Sequence, residues 1–414
     1  MSAQVNIPAK DDSRTAYLLR RAGFHLSSHA LEKFRTFFDS IRDELVEEAM
    51  LYPPGEDLLA MLYHSGEHDL LLSLFERHKG NFAGDLLPVL ATSIYLARKD
   101  PGKALTSAKE IADLEQRRLR QKTAELWAEL MKPLDSEPRV HLLILTHNRE
   151  KHVTEALRQL SLTEYSNYAV YIADNGSSDA TLQKVHEAVG FFPSHVPVSV
   201  QGFPVNIGRP AGHNWLMAGH DHSEAEFIAI GDDDLTRVPP DWLTRMVQTA
   251  RAFPGCGCVG GKAITPGWPA KIHGGVRNFT EFSQAGIDLT NNNEQDDLGQ
   301  FDFVDIVDHV IGCLHIFDRA AFEETGLFDI RLSPCQMVDI EHHLRMRLAG
   351  RKVIFNGLIG FEHLRAMGKS TGTDKGLAGN SLGNMLKILY KYDHATVQKG
   401  IIEQHEARNR WLLG

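Results

Sequence analysis

The sequence predicts an α/β fold: a mostly parallel, Rossmann-like sheet flanked by helices, with an all-helical N-terminal domain ahead of it. Three observations point there. Short apolar runs at 140–145, 169–173, 196–200 and 227–230 alternate with segments of helical period such as 152–162 and 181–189. Strand, helix, strand in succession requires right-handed crossovers and parallel pairing. Upstream of about residue 135, by contrast, apolar residues recur at spacings of three and four, the mark of helices packed by one stripe.

The N-terminal elements follow in order. Leu31, Phe34, Phe38, Ile41 and Leu45 form one stripe, with Ser28 as its N-cap and Pro53-Pro54 as its stop. Further helices are expected at 58–63, 70–75 and 86–97, then a long charged helix over about 103–131. The basic run Arg117-Arg118-Leu119-Arg120 reads as a solvated face of that helix. Lys132 to Pro138 is a linker. The boundaries expected are therefore 1–135 for the helical domain, 138–372 for the α/β domain and 373–414 for a C-terminal helical extension.

Composition limits the function. The 414 residues leave room for two or three domains. Hydrophobic residues make up 43%, too many for disorder as the main state. The longest apolar stretch, 86–97, contains Pro88, Thr92 and Ser93 and is too short to cross a bilayer. Residues 1–17 carry early charges and no apolar core, so no signal peptide is expected. A net charge of −10 argues against a broad nucleic-acid surface. Four cysteines (Cys256, Cys258, Cys313, Cys335) are no disulfide scaffold. Cys256-Gly257-Cys258 lacks the two-residue gap of a zinc knuckle or redox pair and reads as small residues in a strand. A reduced, cytoplasmic setting fits these features.

The chemistry gathers at the strand ends, where ligands of parallel sheets sit. The first run ends in Thr146-His147-Asn148-Arg149, and the second in Asp174-Asn175-Gly176-Ser177-Ser178-Asp179. Asn206 to Asn214 follows the third, and Gly231-Asp232-Asp233-Asp234 ends the fourth. Residues i and i+2 leaving a strand point the same way, so Asp232 and Asp234 can face one hard cation, with Asp233 turned away. Mg²⁺ or Mn²⁺ so held takes its other ligands from phosphates and water. The competing reading is a solvated acidic turn; the apolar strand before it and the other tips in register favour the cation. A carboxylate at Asp174 can accept from a nucleobase N–H, or form an Asx turn with Gly176 left-handed and Ser177 or Asp179 capping the next helix. Asn206 to Asn214 lacks the Gly-Lys-Ser/Thr end of a P-loop. Arg209 within it meets a base or phosphate, or is a surface charge.

These tips, in order and spacing, resemble the inverting nucleotide-sugar glycosyltransferases of the GT-A fold, family 2. So do Gly312-Cys313-Leu314-His315-Ile316-Phe317-Asp318-Arg319 leading to Gly326-Leu327-Phe328-Asp329, and Asp339-Ile340-Glu341 followed by Leu344, Arg345, Arg347 and Gly350. The resemblance spans about 138–370. It implies that Thr146, Asn148, Arg149, Asp174, Asn175, Arg209, Asp232 and Asp233 hold the nucleotide-sugar. It further implies that Asp234, Asp232 and His363 hold Mn²⁺ or Mg²⁺, with the imidazole leaning toward manganese, and that Asp339 is the general base. His363 reads equally as an ordinary polar histidine near a loop. Val338 stands where the family often has Glu, which leaves Glu341 as a reserve base. The implied reaction moves a sugar from a nucleoside-diphosphate donor, UDP-sugar favoured, to a carbohydrate, lipid-linked or protein acceptor with inversion.

Smaller features carry weaker expectations. His342-His343 are packing or rim residues. Gly368-Lys369-Ser370-Thr371-Gly372 is a loop that closes over the diphosphate or a plain surface loop. Residues 290–299 shape acceptor choice or are disordered. Asp305 and Asp308 bond acceptor hydroxyls or lie on an edge strand. The lack of a membrane segment and of a Gln-x-x-Arg-Trp motif favours single addition over processive synthesis. The helical domain binds the acceptor, a protein partner or another copy of the chain. Two rivals stand beside this reading. A nucleotidyltransferase would carry a glycine-rich basic loop after the first strand, where Thr146-His147-Asn148-Arg149 stands. A non-catalytic helical adaptor with a degenerate transferase domain would have no reason to keep acids at 232, 234 and 339.

Overall fold

The computed structural model describes residues 31–51, 54–82, 84–364 and 375–414. The readings of 1–17, Ser28, Pro53 and Gly368 to Gly372 lie outside the described residues. The chain divides into two compact units. One runs to Ala124 and takes in Gly267–Ala270 and Asp296–Gln300; the other is Glu125–Pro266, Lys271–Gln295 and Phe301–Gly414.

The first unit is helical: α1 (Leu31–Leu51), α2 (Glu56–His64), α3 (His68–Arg77), α4 (Leu86–Ala97), α5 (Pro101–Ala108) and α6, which starts at Leu114 and ends on Glu125. Phe34, Phe38, Ile41 and Leu45 are buried on one side of α1, as their spacing requires. Every residue of α4 from Leu87 to Leu96 is buried, so this apolar stretch is a central helix.

The long helix expected over 103–131 is instead three, with α7 (Trp127–Leu130) the last. The first break lies between Ala108 and Leu114. There the Asp85 carboxylate accepts from the backbone N–H groups of Ala112 and Asp113, at 2.6 and 2.7 Å, and draws the chain into a turn. Asp113 then caps the restart by accepting from Gln116 N–H. Nor is the basic run all solvated. Arg120 is fully buried, with Nη2 donating to the Gly299 carbonyl at 2.6 Å.

The second unit is built on a mixed sheet. Its strands are β1 (Val140–Thr146), β2 (Tyr168–Asp174), β3 (Val198–Gly202), β4 (Phe227–Gly231), β5 (Leu235–Arg237), β6 (Cys256–Thr265), β7 (Lys271–Gly274), β10 (Val304–Val307), β11 (Leu314–Asp318) and β12 (Lys352–His363). β8 (Phe279–Ser283) and β9 (Gly286–Leu289) form a separate hairpin. The main order is β10-β12-β6-β11-β4-β1-β2-β3. β3, β2, β1 and β4 run parallel, and so do β6 and β12; β11 is antiparallel to both its neighbours. β1, β2 and β4 are buried on both faces, which is why they read as unbroken apolar runs, whereas β3 at the sheet edge is partly exposed.

The crossover helices are α8 (Val153–Ser161), α9 (Thr181–Ala188) and α10 (Arg209–Ala218). Val153, Ala156, Leu157 and Leu160 form the buried stripe of α8. The remaining helices are α11 (Trp242–Ala252), α12 (Arg319–Thr325), α13 (Val338–Leu348), α14 (Lys375–Lys391) and α15 (His394–Leu413). No helix among the described residues is long and apolar enough to cross a membrane.

The topology fixes where a site can form. The chain moves outward from β1 to β2 to β3, then returns to place β4 on the other side of β1. The connections part at that switch point and leave a crevice beyond the strand ends. Register delivers the polar tips to one edge, with Thr146 beside Asp174 and Ile144 beside Gly231.

Candidate functional site

The tips of β1 and β2 are tied by side chains bonding to backbone. Asn148 is left-handed (φ 53°); its N–H donates to Ser177 Oγ at 2.8 Å, and its Oδ1 accepts from Ser178 N–H at 2.9 Å. Asn175 is buried, donating to Asn206 Oδ1 at 3.0 Å and accepting from Ile207 N–H at 2.9 Å. Gly176, at φ 68°, passes so close to the next tip that a Cβ would sit 2.3 Å from the Val205 carbonyl carbon. Asn148 and Asn175 therefore shape the crevice by holding its loops.

Two buried oxygens there have no hydrogen-bond partner: Thr146 Oγ1 and Asp174 Oδ1. The other Asp174 oxygen accepts from Ser177 N–H at 3.0 Å, so the Asx turn and a free acceptor coexist in one carboxylate. Buried polar atoms are rarely left unpaired, and two side by side at adjacent strand ends mark a place for a polar ligand.

The acidic tip behaves as alternation requires. Asp232 and Asp234 converge with His363; the donor atoms of the three lie within 4.8 Å of one another. His363 Nε2 is 2.7 Å from Asp234 Oδ1 and 3.5 Å from Asp232 Oδ2. Asp233 turns instead to Arg149, whose Nε lies 3.3 Å from its Oδ1. His363 arrives because β12 pairs with β5, which directly follows the acids, and Leu364 N–H donates to the Asp234 carbonyl. Two carboxylate oxygens and one imidazole nitrogen could hold a divalent cation.

Electrostatics agree with the geometry. Burial alone would lower the His363 pKa, but hydrogen bonds to Asp232 and Asp234 push it up to about 9. Burial opposes ionisation of Asp232, yet the Arg209 guanidinium holds its carboxyl well below the usual range. Asp233 is pushed up to about 6 by burial, with Arg149 opposing. Behind the cluster, His273 stacks on His363 with ring centroids 4.9 Å apart and Nδ1 atoms 3.0 Å apart.

Arg209, at the start of α10, is no surface charge. Its Nη2 donates to Asp232 Oδ1 and to the Gly312 carbonyl, both at 2.9 Å. The Gly312 N–H in turn donates to Asp339 Oδ2 at 3.1 Å. A Cβ at position 312 would fall 2.5 Å from that oxygen, so only glycine allows the approach. Asp339 lies in the first turn of α13, after two left-handed non-glycine residues, Gln336 and Met337. Burial raises its pKa, but His309, Arg209 and other neighbours outweigh that and bring it to about 2.

Several expectations give way. Glu341, the reserve base, is fully buried and bound to Arg345 and Lys391, so it cannot meet an acceptor. Of the two readings of His342 and His343, packing holds and rim does not: both are fully buried. Of the two readings of Asp305 and Asp308, the edge strand holds, with Asp305 on β10 at the end of the main strand order; both acids are buried in ion pairs, with Arg408 and with Arg347 and His405, and neither reaches an acceptor hydroxyl. In the 290–299 loop, Asn292 donates to the Val276 carbonyl and Asn293 accepts from Arg277, so these residues are tethered. His273 and His309 were not singled out from sequence; a histidine standing behind another residue leaves no local signal.

Comparison with known proteins adds the following. Residues 142–326 match the family described as Glycosyl transferase family 2. The matched stretch ends before Asp339 and His363. An uncharacterized protein, y4gI, of Sinorhizobium fredii (strain NBRC 101917 / NGR234) is 30% identical over 135 residues, 32% of this chain. The match spans 14% of that relative's length. Among solved structures, the mannosyltransferase PcManGT of Pyrobaculum calidifontis, in complex with GDP-Man and Mn²⁺, is 16% identical with a TM-score of 0.48, covering 77% of this chain and 80% of its own. GalNAc-T7 with UDP, GalNAc and Mn²⁺ is 13% identical with a TM-score of 0.47, covering 62% and 48%.

Proposed function

We propose, from the premise that residues 142–326 belong to glycosyl transferase family 2, that this chain transfers a glycosyl group from a nucleoside-diphosphate sugar to an acceptor hydroxyl, inverting the anomeric centre. The observation that carries the reading is the convergence of Asp232, Asp234 and His363 at the switch point, joined through Arg209 and Gly312 to Asp339.

The nucleoside lies over Thr146 and Asp174, whose free oxygens accept from the base or sugar. Asp232, Asp234 and His363 hold a divalent cation, manganese favoured by the imidazole. When bound, that cation offsets negative charge developing on the departing diphosphate. Arg209 keeps Asp232 ionised and oriented. Asp339 stands as a carboxylate at neutral pH and accepts the proton of the attacking hydroxyl. With a pKa near 2 it is a weak base. It therefore takes the proton late, once bond formation has made the hydroxyl acidic, and its contribution lies mostly in position. A single displacement by the acceptor oxygen inverts the sugar carbon.

UDP-sugar is the favoured donor, and the acceptor is a carbohydrate, a lipid-linked molecule or a protein receiving one unit. The helical unit contributes acceptor, partner or self-association contacts. Free cysteines at all four positions support a reduced, cytoplasmic setting. The experiment is a screen for nucleotide release across UDP-, GDP- and dTDP-sugars with Mn²⁺ and candidate acceptors. Turnover lost in Asp234→Asn and Asp339→Asn supports the reading. Full turnover in both variants overturns the site assignment.

A further inference from the structure

A second cluster of metal-ligating side chains lies in the interior, apart from the acidic tip. Cys258 on β6, His315 on β11 and His343 on α13 are 0, 2 and 0% exposed. Their donor atoms lie within 4.8 Å of one another. Backbone pairing brings them together: β11 runs antiparallel to β6 with His315 opposite Gly260 and Phe317 opposite Cys258. His315 and Cys258 are thus diagonal neighbours on one face, and α13 lays His343 across them.

Two features set this group apart from ordinary packing. Both ring nitrogens of His315 lack a hydrogen-bond partner, although the ring is sealed from solvent. A buried imidazole almost always bonds through at least one nitrogen. A thiol–imidazole hydrogen bond would explain Cys258 Sγ lying 3.4 Å from His343 Nε2, but leaves His315 unexplained. A metal explains both. One thiolate and two imidazoles are a zinc donor set, and usual zinc bond lengths in a tetrahedron put sulfur and nitrogen about 3.5 Å apart.

The surroundings match as well. A zinc-bound histidine usually has its other nitrogen fixed by a second group. His343 Nδ1 lies 2.8 Å from His309 Nδ1, and His309 Nε2 lies 3.9 Å from Asp339 Oδ2. Zinc with one thiolate leaves one positive charge, and Asp339 supplies a negative one nearby.

We propose that Cys258, His315 and His343 bind one Zn²⁺ ion in the interior of the sheet unit, at a site separate from Asp232, Asp234 and His363. The site does not depend on the glycosyl-transfer reading.

The test uses the full chain carrying Asp234→Ala and His363→Ala, so that the acidic tip holds no metal. After dialysis against a weak chelator, about one zinc per chain is expected by elemental analysis. Exchange into Co²⁺ should give a thiolate-to-cobalt charge-transfer band and the strong visible bands of a tetrahedral ion. Cys258→Ser should abolish the charge-transfer band, and His315→Gln should weaken cobalt binding at least about tenfold. Because interior variants can fail to fold, zinc-edge X-ray absorption on the chain with 258, 315 and 343 intact gives an independent reading, with sulfur at about 2.3 Å and nitrogen at about 2.0–2.1 Å. A folded chain holding less than about a tenth of an equivalent of zinc, or a spectrum with no sulfur neighbour, overturns the proposal.

Discussion

Asp232 and Asp339 are joined by one arginine and one peptide group. Arg209 donates to Asp232 and to the Gly312 carbonyl, and the N–H of Gly312 donates to Asp339. The acid proposed to meet the cation and the acid proposed as the base therefore share a scaffold. Removing the arginine should disturb both. In Arg209→Met, a partly buried charge-assisted bond worth about 1.5–3 kcal/mol is lost, so kcat/KM should fall roughly 10- to 150-fold. Metal affinity, measured by calorimetry, should fall with it. A variant with normal kcat/KM would show that Asp232 is held by other means.

Asp339→Asn keeps the side-chain volume and the bond from Gly312 but removes the proposed proton acceptor. Rate should drop by about 10²–10⁴ while donor KM stays near its original value. Because the wild-type carboxyl titrates near pH 2, the pH–rate profile between 5 and 8 should carry no inflection from it. A steep fall in kcat below pH 6 that disappears in Asp339→Asn would contradict that order of events.

His273 braces the ring that meets the acids, stacking on His363 with Nδ1 atoms 3.0 Å apart. Loss of such a brace typically costs 10- to 100-fold in metal affinity. His273→Ala should weaken Mn²⁺ binding by about that range and leave nucleotide affinity in the absence of metal unchanged. Equal Mn²⁺ binding before and after would mean that β12 alone fixes His363.

A pair far from the crevice predicts acid lability. His141 and His222 are buried, with Nδ1 atoms 2.7 Å apart. Burial, and for His141 the neighbouring His222, lower both pKa values, that of His141 to about 4. Folded pKa values below the unfolded value near 6.5 mean that the unfolded chain binds protons first. The stabilisation is complete above pH 6.5 and is lost as pH falls toward 4. On the order of 2 kcal/mol should go between pH 7 and pH 4.5, read from urea midpoints. His141→Gln should flatten that slope.

β1, β2 and β4 were legible because they are buried on both faces, and a doubly buried strand is an unbroken apolar run; the partly exposed β3 begins two residues later than the run expected at 196–200. Runs expected at 169–173 and 227–230 extend by only a residue or two. The acid alternation at 232–234 was legible for the same reason, since strand geometry dictates which carboxylates share a direction. Long-range partners were not. Asp85 breaks a helix begun many residues later, Arg120 leaves the solvated face for the Gly299 carbonyl, and Asp305 finds Arg408 near the end of the chain. Such pairs depend on where distant segments return, which no local period encodes. The proximity of His315 to Cys258 was not legible either, because strand pairing and not spacing makes them neighbours.

The ion pairs of Asp305 and Asp308 give the last helix a task that its exposed surface conceals. Arg408 pairs with Asp305, sealed beside the sheet edge, and His405 reaches Asp308, which Arg347 also meets. A shortened chain lacking 394–413 would take Arg408 from Asp305, at a cost of about 3–5 kcal/mol for a broken buried pair. Trimming this tail, however dispensable it looks in cartoon outline, should yield insoluble protein, and a rescue by Asp305→Leu would trace the failure to electrostatics.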